Sequence, residues 1–117
     1  MNEFTMIYRS AQMPETQFSP EQMQDVLKQW QSWLGGIAAQ NKIAAFGNRL
    51  GPAGATVRSG MVTDGPYAEV KEMITGYTIL KADTLDEAIE IAKGCPVLKI
   101  GGSVEVRPVM PTTMNLD

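Results

Sequence analysis

One local pattern appears twice in this chain and limits its architecture more than any other feature. Ser19-Pro20-Glu21-Gln22 and Thr84-Leu85-Asp86-Glu87 both have the Ser/Thr-x-x-Gln/Glu spacing. In that spacing a hydroxyl accepts from the third helical amide, and the third side chain can reach back to the cap. Pro20 strengthens the first case, because the first helical position has no amide bond to lose. Each helix start lies between strand-like segments. Glu3 to Arg9 precedes the first, with bulky Ile7 and Tyr8, and Ile43 to Phe46 follows it. Met73 to Leu80 precedes the second, and Ser103 to Val109 follows it. Two strand–helix–strand halves in one short chain predict an α+β, ferredoxin-like βαββαβ sheet with both helices on one face.

The helical faces can be read from the periodicity. Met23, Val26, Leu27, Trp30, Trp33, Leu34 and Ile37 recur at steps of three and four, which predicts one apolar stripe against the sheet. Trp30 and Trp33 fit that stripe, so packing explains them better than an aromatic ligand box. Gly35-Gly36 weakens the last turn by about 1 kcal/mol per glycine relative to alanine, which predicts fraying or a kink. In the second helix Leu85, Ala88, Ile89 and Ala92 form the expected buried stripe, and Gly94 and Pro96 stop it. The last strand alternates Val104, Val106 and Pro108 with Glu105 and Arg107. Those two charged residues therefore share a face, either as an ion pair or as part of an anion-binding lining.

The 117 residues make one domain, 1–117, with a loose polar tail from about Met110. A sheet with both helices on one side leaves its other side uncovered. Burial of that side predicts a homodimer, the chain itself being the partner.

An extra hairpin is expected in the middle of the chain. Ala55-Thr56-Val57-Arg58 and Met61-Val62-Thr63 flank Ser59-Gly60, a two-residue turn. Next comes the densest group of reactive side chains, Asp64-Gly65-Pro66-Tyr67-Ala68-Glu69-Val70-Lys71-Glu72. Gly65 lets the backbone turn tightly, and Pro66 stiffens it and keeps Gly65 out of the helical region. A carboxylate on such a corner can orient a substrate proton or cap amides. The plainer alternative is an ordinary turn that Asp64 closes on its own backbone, beside a solvated charge run. Glu69 and Lys71 share one face of an extended chain, whereas Glu72 faces the other way. This divergence argues against a carboxylate-only metal site at Asp64, Glu69 and Glu72, so neither a metal nor a cofactor is expected.

Composition removes whole classes of chemistry. With no histidine, histidine triads, Cys–His dyads and His-ligated zinc are excluded. Cys95, the single cysteine, cannot form an intrachain disulfide; it follows a helix C-terminus, where it reads as a packing residue. A net charge of −3 without basic clustering speaks against nucleic acid. No apolar run approaches a membrane span or a signal peptide, so the expected location is cytoplasmic. Gly47, Gly51 and Gly54 match neither the dinucleotide fingerprint nor the Walker pattern.

The run Asp64 to Glu72 resembles the signature of DGPF-type proteins of the YCII-like superfamily, in which an aromatic residue, usually Phe, follows the proline. The resemblance continues through Gly76-Tyr77, Leu85-Asp86-Glu87-Ala88-Ile89, Cys95-Pro96 and Gly102 to Pro108, and the helix opening at Ser19 fits it too. It implies a ferredoxin-like domain that pairs into a dimeric α/β barrel, with a cleft near the sheet and dimer interface. In the wider superfamily a histidine–aspartate pair is proposed as a catalytic element. Asp64 matches the aspartate, but this chain has no histidine to complete the pair.

Three functions fit these residues. The first is binding of a small metabolite in the cleft, with Asp64, Gly65, Pro66, Tyr67, Glu69 and Lys71 at the turn and Arg58 or Arg107 supplying positive charge. The second is an enzyme that uses Asp64 as general acid/base, assisted by Tyr67 or Lys71. The third is a structural or regulatory protein whose cleft is incidental.

Overall fold

The N-terminal strand lies at the centre of the sheet. In the computed structural model, which describes residues 1–11, 19–65 and 72–111, β1 (Asn2–Ala11) pairs on both sides. Its neighbours are β5 (Glu72–Ala82) and β6 (Ser103–Pro108), and β2 (Ile43–Ala45) pairs with the far side of β5. The order β2-β5-β1-β6, antiparallel throughout, is the ferredoxin-like arrangement predicted from the two halves. A separate hairpin, β3 (Ala55–Arg58) with β4 (Met61–Asp64), is inserted between β2 and β5.

Both helices cover one face of the sheet. β1 points Phe4, Met6 and Tyr8 towards them, and β5 adds Thr78, Leu80 and Ala82. Met6 and Leu80 are completely buried, and a side chain of this kind contributes about 1.5–3 kcal/mol on burial. From α1 (Pro20–Ala39), Trp30 and Trp33 pack on this core. Their rings meet the Tyr8 ring edge-on, with centroids 4.9 and 6.3 Å away, and the Trp33 indole N–H donates to the Ile91 carbonyl at 3.2 Å. From α2 (Leu85–Ala92), Ala88 and Ala92 are buried against the same cluster.

The helix starts form as expected, with one difference. At α1 the cap is reciprocal: Ser19 Oγ accepts from the Gln22 amide at 3.1 Å, and Gln22 Oε1 accepts from the Ser19 amide at 2.9 Å. At α2 Thr84 Oγ1 accepts from the Glu87 amide, but the Glu87 carboxylate turns to the Lys42 ammonium, 2.7 Å away. An ammonium is the stronger attraction for a carboxylate, so the second box is half formed.

Three expectations about packing need correction. The apolar stripe of α1 is not buried along its length: Leu27 is 49% exposed and Met23 is also exposed, while Ile37 is buried. Leu85 and Ile89 of α2 are likewise exposed. Periodicity identifies the apolar side, but the neighbouring surface ends before it covers these residues. Gly35-Gly36 does not end α1, which continues to Ala39. Asn41 then turns the chain out of the helix at φ 59°, a left-handed position that asparagine tolerates. After α2, Pro96–Ile100 forms a 3-10 helix and keeps Cys95, Pro96 and Val97 in the core.

β5 carries an irregularity that matters for the opposite face. The register shifts between Tyr8 and Arg9, with Tyr8 opposite Gly76 but Arg9 opposite Ile74. Thr75 is thus the extra residue of a bulge, and its hydroxyl donates to the Tyr8 carbonyl at 3.4 Å. Gly76 is required beside it, because a Cβ there would stand 2.9 Å from the Asn48 carbonyl oxygen.

Candidate functional site

The sequence-predicted site residues fall into two groups. Asp64 ends β4, paired with Ala55, and Arg58 ends β3, opposite Met61. Both are exposed. Gly65 has φ +80°, a conformation that favours glycine. The partner strand fixes this corner: the Gly65 amide donates to the Gly54 carbonyl at 2.7 Å, and the Thr56 hydroxyl donates to the Gly65 carbonyl at 3.0 Å. The Asp-Gly corner is thus held by backbone and threonine bonds. Pro66, Tyr67, Glu69 and Lys71 lie outside the described residues, as do the Glu72 side chain and the tail from residue 112.

The second group lies on the sheet face away from the helices. Thr5, Ile7 and Arg9 of β1 alternate with the buried residues, and Tyr77 and Ile79 of β5 stand opposite Ile7 and Thr5. β6 adds Glu105 opposite Ile7 and Arg107 opposite Thr5. Ile7, Tyr77 and Ile79 are half-buried in the single chain. Beside them Glu105 joins two guanidinium groups. Its Oε1 lies 3.3 Å from Arg9 Nη2 and its Oε2 lies 3.9 Å from Arg107 Nε. The Glu105–Arg107 pairing is the one expected from the alternation of the last strand. Arg9 escaped the sequence reading. Its proximity to Glu105 depends on the β1–β6 register, which links distant segments and leaves no local trace.

The helical side offers a different kind of surface. Ile89, Ala92, Lys93, Leu98, Val104 and Val106 line an apolar groove of about 310 Å³ between α2 and β6. Its walls can hold apolar atoms, but Lys93 is its single ionisable member. Among the described residues no three His, Cys, Asp or Glu side chains come together as metal ligands.

The core beneath the site is chemically quiet. The Tyr8 hydroxyl donates to Thr78 Oγ1 at 2.6 Å, and Thr78 donates onward to the Phe46 carbonyl at 2.9 Å. Burial raises the Tyr8 phenol above its ordinary range, against the effect of the Thr78 hydrogen bond. Burial also pushes the Cys95 thiol up to about 11, partly opposed by a hydrogen bond with the Val97 backbone. Cys95 is therefore the packing residue expected from its position.

Comparison with known proteins adds the family. The model of the YCII-related domain matches residues 4–113. The chain belongs to this family. The match runs from within β1 to beyond the end of β6. An uncharacterized protein of Rhizobium meliloti (strain 1021) is 36% identical, over 62% of this chain and 68% of that one. Among solved structures, a 5-chloro-2-hydroxyhydroquinone dehydrochlorinase from Burkholderia phenoliruptrix AC1100, in complex with 2,5-dihydroxybenzoquinone, is similar at 18% identity. That alignment covers 92% of this chain and 93% of the other, with a TM-score of 0.47. No helix among the described residues is long and apolar enough to cross a membrane.

Proposed function

We propose that this YCII-related protein binds a small metabolite in a cleft formed where the open face of its sheet meets a second copy of the chain. The observation that carries this reading is the composition of that face. Ile7, Tyr77 and Ile79 form an apolar centre on the face away from the two described helices, and Glu105, Arg9 and Arg107 border it. Apolar area of this kind gains from being covered, and a homodimer forming a two-sheet α/β barrel covers it with the same surface twice. Pockets for small molecules combine apolar walls with a few placed polar groups. The Asp-Gly corner supplies further polar groups in this reading. Asp64 orients the ligand, and Arg58 and Arg107 provide positive charge.

Binding is preferred to acid–base catalysis because Asp64 is exposed in the single chain, whereas general acids and bases usually work partly buried. A thermal-shift screen of metabolites tests the reading. A stabilising compound should lose its effect on Asp64→Asn while the fold of that variant is retained. An equal shift on the variant removes Asp64 from the site. Incubation with the same compound and a search for a mass change separates binding from turnover. Light scattering at micromolar concentration should give a dimer, and a monomeric mass refutes the two-copy cleft.

A further inference from the structure

The polar border of the open face has a chemical preference of its own. Glu105 sits between Arg9 and Arg107 and offers one carboxylate oxygen to each, at 3.3 and 3.9 Å. One carboxylate cannot neutralise two guanidinium groups, so the trio carries one surplus positive charge on a chain whose net charge is −3. Each guanidinium has five N–H donors in a fixed fork. The Glu105 contacts use one nitrogen of each group, so most of that donor capacity is left for another acceptor. Arg9 is 35% exposed and Arg107 69% exposed at the side chain, so both are within reach of solvent.

Two further observations give this cluster a direction. Arg9 lies at the register shift of the β1–β5 pair. Bulges re-aim side chains and are over-represented beside functional sites. The apolar part of the face begins at the middle of the trio: Ile7 is opposite both Glu105 and Tyr77, and Ile74 is opposite Arg9. A ligand matched to this surface has an anionic end and a small apolar body.

Resting on the binding reading above, we infer that Arg9 and Arg107, held on either side of Glu105, form the anion-recognising border of the open face and select small apolar carboxylic acids. The planar carboxylate suits the guanidinium fork in a way that a neutral amide of the same shape does not. The body of the acid lies along Ile7 and Tyr77.

Benzoate and benzamide test this directly, followed by amide NMR shifts of Thr5, Ile7 and Glu105 in the full chain. Benzoate should bind at least about tenfold more tightly than benzamide, the factor expected for a hydrogen bond to a charged group. Arg9→Gln and Arg107→Gln should each erase most of that selectivity. Arg107 is at an exposed strand end, so its variant keeps the test open if Arg9→Gln folds poorly. Equal affinity for the two probes, or benzoate binding that survives both substitutions, overturns the inference. Displacement of benzoate by an equal concentration of inorganic phosphate overturns the preference for an apolar acid. The test leaves Asp64 untouched and needs no metabolite hit. Equal affinity of the native chain for the two probes therefore counts against the anion end alone, and a hit indifferent to Asp64→Asn counts against the wider reading alone.

Discussion

The Tyr8 hydroxyl donates to Thr78 Oγ1 at 2.6 Å, and Thr78 hands its own proton to the Phe46 carbonyl at 2.9 Å. The two members of this buried relay are not equivalent. Tyr8→Phe removes one donor and leaves Thr78 still bonded to Phe46, a loss of about 1 kcal/mol. Thr78→Val leaves a buried phenol without its acceptor and the Phe46 carbonyl without its donor, at a cost of about 2–3 kcal/mol. Urea denaturation of both variants should give that order; the reverse order would contradict the relay.

Glycine positions should respond to substitution with opposite signs. Gly47 has φ +72°, and a Cβ there would collide with the Tyr77 carbonyl oxygen. That oxygen is backbone and cannot move aside like a side chain, so Gly47→Ala should lose about 2 kcal/mol or more. Gly36 lies inside α1 with nothing within 4 Å of a Cβ. Gly36→Ala should therefore stabilise by about 0.5–1 kcal/mol. Thermal unfolding of the two variants checks the contrast.

Cys95 should be inert in the native protein. It is 2% exposed, and burial holds its thiol near 11, so at pH 8 it is protonated as well as shielded. Reaction with a thiol reagent such as Ellman's should proceed only as fast as the protein opens. Immediate stoichiometric labelling of the native chain would contradict this placement.

The Lys42–Glu87 pair makes stability depend on pH at the acid end. The Lys42 hydrogen bond is the main cause that lowers the Glu87 carboxyl below its ordinary value, with burial opposing it. A carboxyl that is more acidic when folded stabilises the fold above its unfolded pKa, and that contribution is lost as pH falls through the folded pKa. Glu87→Gln should therefore melt below the native protein at pH 7, and the difference should shrink as the pH falls below the ordinary carboxyl range. A constant difference across that range would rule out the ionic origin.

Much of the architecture was legible because its signals are local. Ser19, Pro20 and Gln22 specify a helix start through bonds within one turn, and Ser59-Gly60 specifies a two-residue hairpin link by the same kind of rule. What escaped depends on distant surfaces. Met23 and Leu27 follow the helical stripe, yet nothing in their spacing tells how far the sheet beneath them extends. The partner of Glu87 changed because Lys42, remote in sequence, comes within 2.7 Å. At the candidate site, Arg107 and Glu105 could be paired from strand alternation alone. Arg9 required the antiparallel register of β1 on β6.

The claim that the open sheet face is where this protein meets its ligand is tested most directly by mapping a stabilising metabolite onto backbone amides by NMR. The account predicts shifts at Thr5, Ile7, Arg9, Tyr77 and Glu105 that disappear in Asp64→Asn. Shifts confined to Ile89, Ala92 and Leu98, in the groove on the helical side, would contradict it.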